Sequence, residues 1–196
     1  MSGGVLSKSR VQWELSHGRI LAAAGALFRT SGFAGASVER VMRRAGLTVG
    51  GFYAHFKNKQ ALLVEALRDL LRLRRIQWLN LIGDRQGDEF AARFVRVYLS
   101  RLHRDTPAEG CPVPALLSEL AAGPAKAQLV LAVELEALVA LLAPHLPDGP
   151  GPTRRQRALA TATLCLGALA VARATRASPL SDEILRAARA FSAPGR

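Results

Sequence analysis

Apolar residues recur three and four positions apart through most of this 196-residue chain, and nowhere does a period-two alternation of β-branched residues persist. A period near 3.6 gathers such residues on one face of a helix, so the spacing predicts an all-α fold of about nine helices and no strands. Ile20, Leu21, Ala24, Leu27 and Phe28 mark a helix over 19–31, with Ser16 as its cap and Gly32 as its stop. Residues 1–18 read as a basic N-terminal arm, loose as far as Leu15. Ser37 caps a second helix in which Val38, Val41, Met42 and Ala45 face inward while Arg40, Arg43 and Arg44 face out, and Gly46 ends it. Thr48 caps a third, about two turns long.

A long helix follows from Lys59 to Gly83, with Leu62, Leu63, Ala66, Leu67, Leu70 and Leu71 on one face. Asp88 starts another with Phe90, Phe94, Val97, Tyr98 and Leu102, stopped before Pro107. Pro112 and Pro124 suit the first turns of helices over 113–122 and 125–142. Pro147 to Pro152 reads as a linker, after which Thr153 caps a helix to about Ala177 and Ser181 caps a last one to Phe191.

Composition narrows the partner. Lys and Arg total 27 against 15 Asp and Glu, a formal charge of +12 that suits a polyanion: nucleic acid or an anionic membrane surface. Residues 1–60 concentrate it, with Lys8, Arg10, Arg19, Arg29, Arg40, Arg43, Arg44, Lys57 and Lys59 against Glu14 and Glu39. Cys111 and Cys165 are the two cysteines and lie in no Cys-x-x-Cys or His/Cys cluster, so neither a disulfide framework nor a metal site is expected, and a reducing cytoplasm fits. The longest uncharged helical run, Ala158 to Ala172, falls short of the ~20 apolar residues of a spanning helix, and no membrane segment is expected. No nucleophile elbow, metal-ligand spacing or dinucleotide fingerprint points to catalysis, and no cofactor is implied.

The three short helices of residues 19–56 form a helix-turn-helix pattern, the second and third joined by Arg44-Ala45-Gly46-Leu47-Thr48. Thr48 at a helix N-terminus offers a hydroxyl and free backbone N–H groups to a phosphate. Gly50 and Gly51 each cost the helix ~1 kcal/mol, which folding alone does not explain, and they let the backbone approach a major groove closely. Val49 and Tyr53 share the outward face, the valine suited to a thymine methyl and the tyrosine to a phosphate or base edge. Phe52 and Phe56 face inward. His55 and Lys57 near the end of the third helix and Lys59 at the start of the fourth can reach the DNA backbone.

These motifs resemble the DNA-binding domain of the TetR family of bacterial transcriptional regulators. The resemblance runs from Arg19 to Leu67: Ala24-x-x-Leu27-Phe28, then Gly32-Phe33-x-x-x-Ser37-Val38, then Phe52-Tyr53-x-His55-Phe56-Lys57-x-Lys59. It implies phosphate contacts from Ser37, Thr48, Tyr53, His55 and Lys59. Val49 departs from the basic or polar residue, and Ala54 from the aromatic, that many relatives carry there. Residues 19–67 would then be the helix-turn-helix domain and 68–196 an effector-binding and dimerisation domain, whose Gly110-Cys111-Pro112 segment resembles one subgroup.

In that second part Trp78, Phe94 and Tyr98 can line an effector cavity, as plain core packing would also place them. Cys111 at a helix start is a candidate sensor thiol, against the commoner reading of a small buried residue. The helix after Thr153 is apolar nearly all round, so Leu164, Gly167, Ala168 and Val171 are the expected contacts of a second subunit. The expected function is a homodimeric regulator that binds a near-palindromic duplex and is released by an unidentified small molecule. A sensor of oxidants or electrophiles through Cys111 is the first alternative, and a basic membrane-surface or scaffold protein a remote one.

Overall fold

The computed structural model describes residues 8–147 and 151–192, which form nine α-helices and three 3₁₀ turns without a strand. In chain order the helices are α1 (Lys8–Ser31), α2 (Val38–Ala45), α3 (Lys59–Ile82), α4 (Gly87–Tyr98), α5 (Arg101–Asp105), α6 (Val113–Ala121), α7 (Ala125–Leu142), α8 (Arg154–Ala174) and α9 (Leu180–Ser192). Val49–Ala54, Pro107–Glu109 and Ala143–His145 are the 3₁₀ turns. Residues 1–7 of the expected arm and 148–150 of the expected linker lie outside the described residues.

Local sequence sets most of these boundaries. Ser37, Asn58 and Thr153 each accept a backbone N–H of the first helical turn, at Arg40, Ala61 and Gln156, and Gln156 returns the bond to Thr153 in a capping box. Gly46 ends α2 at φ +66°, where a side chain would be strained, and its N–H and that of Leu47 close on the carbonyls of Arg43 and Met42. One hydrophobic core runs from Ile20, Phe28, Met42 and Phe52 near the N-terminus to Leu142, Leu169 and Leu185. Within it α1 packs on α2 and α3, α3 on α7, and α8 on α7 and α9.

Four elements differ from the sequence reading. α1 starts at Lys8, so the expected arm is helix from there on, and Ser16 is no cap but a buried residue inside it. The third helix is 3₁₀ instead of α, a short, tight form that suits the poor helix propensity of Gly50-Gly51. α4 stops at Tyr98 because the Ser100 hydroxyl accepts the N–H of His103 and starts α5; Leu102, expected on the α4 face, is 73% exposed. α9 opens before Ser181, whose hydroxyl instead donates to the carbonyl of Ala172 in α8 at 2.6 Å.

Uncharged run length is too narrow a ground against a spanning segment. Residues 125–145 and α8 are both long and apolar enough to cross a membrane by length and composition. Counting only uncharged runs missed the first, which carries just Lys126, Glu134 and Glu136. Here both helices pack in the bundle, and Glu134 pairs with Arg75 of α3 at 2.9 Å.

Candidate nucleic-acid interface and buried cavity

The turn 49–54 is held from beneath. Phe52 and Phe56 are buried, with ring centroids 5.6 Å apart, and the N–H of Phe56 bonds the carbonyl of Phe52 at 3.0 Å. Two aromatics on one side force the intervening Tyr53 outward: it is 70% exposed, and Val49 beside it 43%. A Cβ at Gly50 would meet nothing within 4 Å, and one at Gly51 only ordinary contacts. Packing therefore demands neither glycine, and what they clear is the outer surface. Thr48 stands at the N-terminus of the turn without a side-chain capping bond, which leaves its hydroxyl available, and Lys57 is exposed just past the turn.

The remaining expected contacts have internal partners. Ser37 Oγ accepts the Arg40 N–H at 3.3 Å. Lys59 Nζ lies 4.3 Å from the centroid of the Phe33 ring, a cation–π contact, and 3.5 Å from the carbonyl of Ala34. His55 turns toward α1, its Nε2 3.0 Å from Ser16 Oγ and its ring against Trp13 and His17. Burial, then the neighbouring His17, pull its pKa below the usual histidine value.

Sequence reasoning missed Trp13 and His17. Trp13 Nε1 donates to the carbonyl of Ala54 at 3.3 Å and stacks on His17, which bonds Glu65 of α3 at 2.6 Å. This cluster fastens the first turns of α1 to the recognition turn. Its signal was present: positions 13, 17, 20 and 24 continue the helical period of α1 backwards. Glu119 of α6 was missed as well. Its carboxylate accepts the N–H groups of Phe33 (2.6 Å) and Ala34 (2.8 Å), so α6 holds the α1–α2 loop directly.

A cavity of about 40 Å³ lies between α3, α4, α7 and α8, lined by Leu71, Trp78, Tyr98, Cys111, Leu135 and Leu166 among others, with the Arg75–Glu134 pair at its edge. Phe94 does not line it. Its ring meets Trp78 edge-on at 5.6 Å from behind, in the core. Cys111 is buried, and burial raises its thiol above the ordinary value. The Tyr98 hydroxyl has no conventional hydrogen-bond partner and interacts with that thiol. Beneath them His103 Nδ1–H donates to the carbonyl of Tyr98 at 2.6 Å while Nε2 accepts the Cys111 N–H at 2.8 Å. Cys165 is buried too, and its thiol is pushed up to about 12 by burial.

On the outer face of α8, Leu164, Gly167 and Val171 are exposed, and a Cβ at Gly167 would meet open space. Ala168 belongs elsewhere: it is buried against the protomer's own core, which removes it from the expected subunit contact. An apolar helix surface shows its period only faintly, and the period alone did not separate these neighbours.

Residues 20–66 match the family described as bacterial regulatory proteins, tetR family. An uncharacterized HTH-type transcriptional regulator of Bacillus subtilis, YerO, is 32% identical over 69 residues, 35% of this chain and 24% of that protein. The aligned part is thus about a quarter of that relative's length. Among solved structures the fold is similar to NemR of E. coli in its reduced form (TM-score 0.78, 22% identity, covering 90% of this chain and 94% of that one). It is also similar to a TetR-family regulator of Cytophaga hutchinsonii (TM-score 0.75, 20% identity, 97% of each chain). Over residues 20–66, then, the chain is similar to the helix-turn-helix domain of the tetR family of bacterial regulatory proteins.

Proposed function

We propose that the protein is a homodimeric, cytoplasmic, sequence-specific DNA-binding regulator without catalytic activity, a repressor released by a small molecule. Residues 19–67 form its DNA-binding part and 68–196 its effector-binding and dimerisation part. The observation that carries this reading is the 3₁₀ turn whose buried Phe52 and Phe56 hold Tyr53, Val49, Gly50, Lys57 and the Thr48 hydroxyl outward on the most cationic part of the chain. One such turn spans too few base pairs for useful discrimination, whereas two related by a twofold axis read a near-palindrome. His55 and Lys59 then serve the site indirectly, by locking the turn to α1 and to the α1–α2 loop. Selection of bound genomic fragments with the purified protein, followed by titration across a salt series, tests the reading. Affinity for a selected duplex should exceed that for a scrambled one and fall steeply with salt as phosphate contacts release counterions. Equal affinity for both duplexes would refute it.

For the effector, the cavity walls favour an apolar or aromatic molecule seated against Trp78 and Tyr98, with Phe94 supporting them from behind. At about 40 Å³ the cavity admits little more than a water, so binding requires α3 and α7 to part. That motion reaches the helix-turn-helix along two paths, through α3 and through Glu119 of α6. A second reading is a Cys111 sensor, favoured by the likeness to a protein described in a reduced form. The raised thiol disfavours it, because the thiolate is the reactive species. Peroxide or an electrophile releasing DNA from the wild type but not from Cys111→Ser would establish the second reading over the first.

A further inference from the structure

Arginines in this protein pair with carboxylates wherever the fold brings one near. Arg101 and Arg104 share Asp182, Arg104 also takes Asp105, and Arg155 takes Glu136. Among the described residues, Arg29, Arg74 and Arg173 pair with no carboxylate. α1 and α3 meet closely where a Cβ on Gly25 would lie 2.7 Å from a Leu70 methyl, and Arg29 and Arg74 stand one turn beyond that contact on the two helices. Arg173 of α8 bonds the carbonyls of His103 at 2.9 Å and Cys111 at 3.5 Å, and the 3₁₀ turn Pro107–Glu109 just before Cys111 packs on α1.

All three side chains are partly buried. Among the described residues Arg29 and Arg74 make no hydrogen bond or ion pair, and the buried Nε atoms of Arg29 and Arg173 have no partner. The acid that acts on Arg29 and Arg74 is Glu109, whose carboxylate closes an ion pair with neither. Burial, followed by mutual repulsion through Arg74, depresses the pKa of Arg29 and of Arg173. Partly buried cations of one sign are unfavourable unless a counter-charge joins them, and the planar guanidinium fork fits an oxyanion in bidentate geometry.

We infer that Arg29, Arg74 and Arg173 form a binding site for an oxyanion, the carboxylate or phosphate group of a small molecule. The site meets the cavity at Cys111, whose carbonyl Arg173 bonds, but none of the three arginines lines the cavity, whose edge carries Arg75 instead, so either assignment can fail without the other. It joins α1 and α3, which carry the helix-turn-helix, to α8, and an anion held there draws the three together.

The test is calorimetric titration of the full chain with inorganic phosphate, benzoate and octanoate at fixed ionic strength in chloride, beside thermal melts. At least one probe should bind saturably, one per protomer, and roughly tenfold or more weaker in Arg29→Gln and in Arg74→Gln. Phosphate alone binding identifies a phosphate-type ligand, and benzoate or octanoate alone a carboxylate. Lys57→Ala, on the DNA face, should bind as the wild type does. In chloride alone Arg74→Gln should melt no lower than the wild type, since it removes an unpaired charge; a marked drop would make Arg74 a structural residue and overturn the assignment. It is equally overturned if no probe saturates, or if binding survives Arg74→Gln but disappears in Lys57→Ala.

Discussion

Two surfaces of this protein expose apolar side chains that its own core leaves uncovered, and they differ in what surrounds those side chains. On the recognition turn Tyr53 and Val49 stand among Lys57, the Thr48 hydroxyl and bare glycine backbone. On α8, Leu164 and Val171 (50% exposed) flank the open Gly167, and α9, which packs on α8, exposes Leu180 and Phe191 (87% exposed). Apolar contact mixed with cations and free donors suits a polyanion with methyl groups in its groove. An apolar helix face with a small residue at its centre suits the same face of a second copy, where close approach is possible and no charge is left unpaired. On this view the first surface provides recognition and the second the bivalency that makes recognition strong.

The largest expected effect breaks the second surface to weaken the first. Gly167→Glu meets open space in the protomer and gains helix propensity, so the protomer should fold, yet a dimer would have to bury its charge. Light scattering should show monomers, and affinity for a palindromic duplex should fall by roughly 10²- to 10⁴-fold as bivalency is lost. Ala168→Glu, one residue on, should instead fail to fold, because it drives a charge into the core. If Gly167→Glu stays dimeric, the subunit contact lies elsewhere.

The same contrast operates inside the recognition turn. Phe56→Ala should destabilise the helix-turn-helix by ~3–5 kcal/mol, a melting shift on the order of 10 °C, whereas Tyr53→Ala should melt like the wild type and lose DNA binding. Melts beside gel shifts check it. Equal destabilisation by the two would mean that Tyr53 supports the turn and does not read DNA.

Acid should reach the protein through its interior before either surface. Burial lowers the His103 pKa to about 4, and its neutral ring both donates and accepts a hydrogen bond. The unfolded chain binds that proton near pH 6.5, so stability is complete above this value and lost as pH falls toward about 4, by about 3 kcal/mol. Protonated Nε2 would also confront the Cys111 N–H it now accepts. Denaturant titrations between pH 7 and 4 should show the loss, and His103→Gln should flatten the slope in that window; an unchanged slope would assign the acid response to other groups.

What the sequence disclosed and what it hid divide along range. Caps at Ser37 and Thr153, the stop at Gly46 and the inward pair Phe52 and Phe56 depend on residues within one or two turns, and periodicity exposes them. The early start of α1 left only a faint signal, Trp13 and His17 in the helical period ahead of Ile20; the Trp13 bond to Ala54 and the His17 bond to Glu65 hold it. The clasp of Glu119 on Phe33 and Ala34, like the unpaired arginines around Cys111, joins distant segments and leaves no local trace. His55 and Lys59 stand where the family motif places them, yet their side chains have turned inward to Ser16 and Phe33, a choice made by neighbours the motif does not specify.

The smallest expected effect separates two hydroxyls that the sequence treats alike. Ser37 and Thr48 both sit at helix N-termini with extended backbone, and both match the family's phosphate contacts. Ser37 Oγ is occupied by the Arg40 N–H, while Thr48 makes no side-chain capping bond. Ser37→Ala should therefore lower stability by about 1 kcal/mol, the ordinary loss of a cap. Thr48→Val keeps the shape and removes only the hydroxyl, so it should leave the melting temperature unchanged while weakening operator binding by roughly tenfold, the worth of one hydrogen bond to a charged phosphate. The salt dependence should stay nearly the same, since a neutral donor releases no counterion of its own. A Thr48→Val protein that melts lower but binds DNA normally would show that Thr48 caps the turn in solution, and would leave Tyr53 and Lys57 as the side chains on which recognition rests.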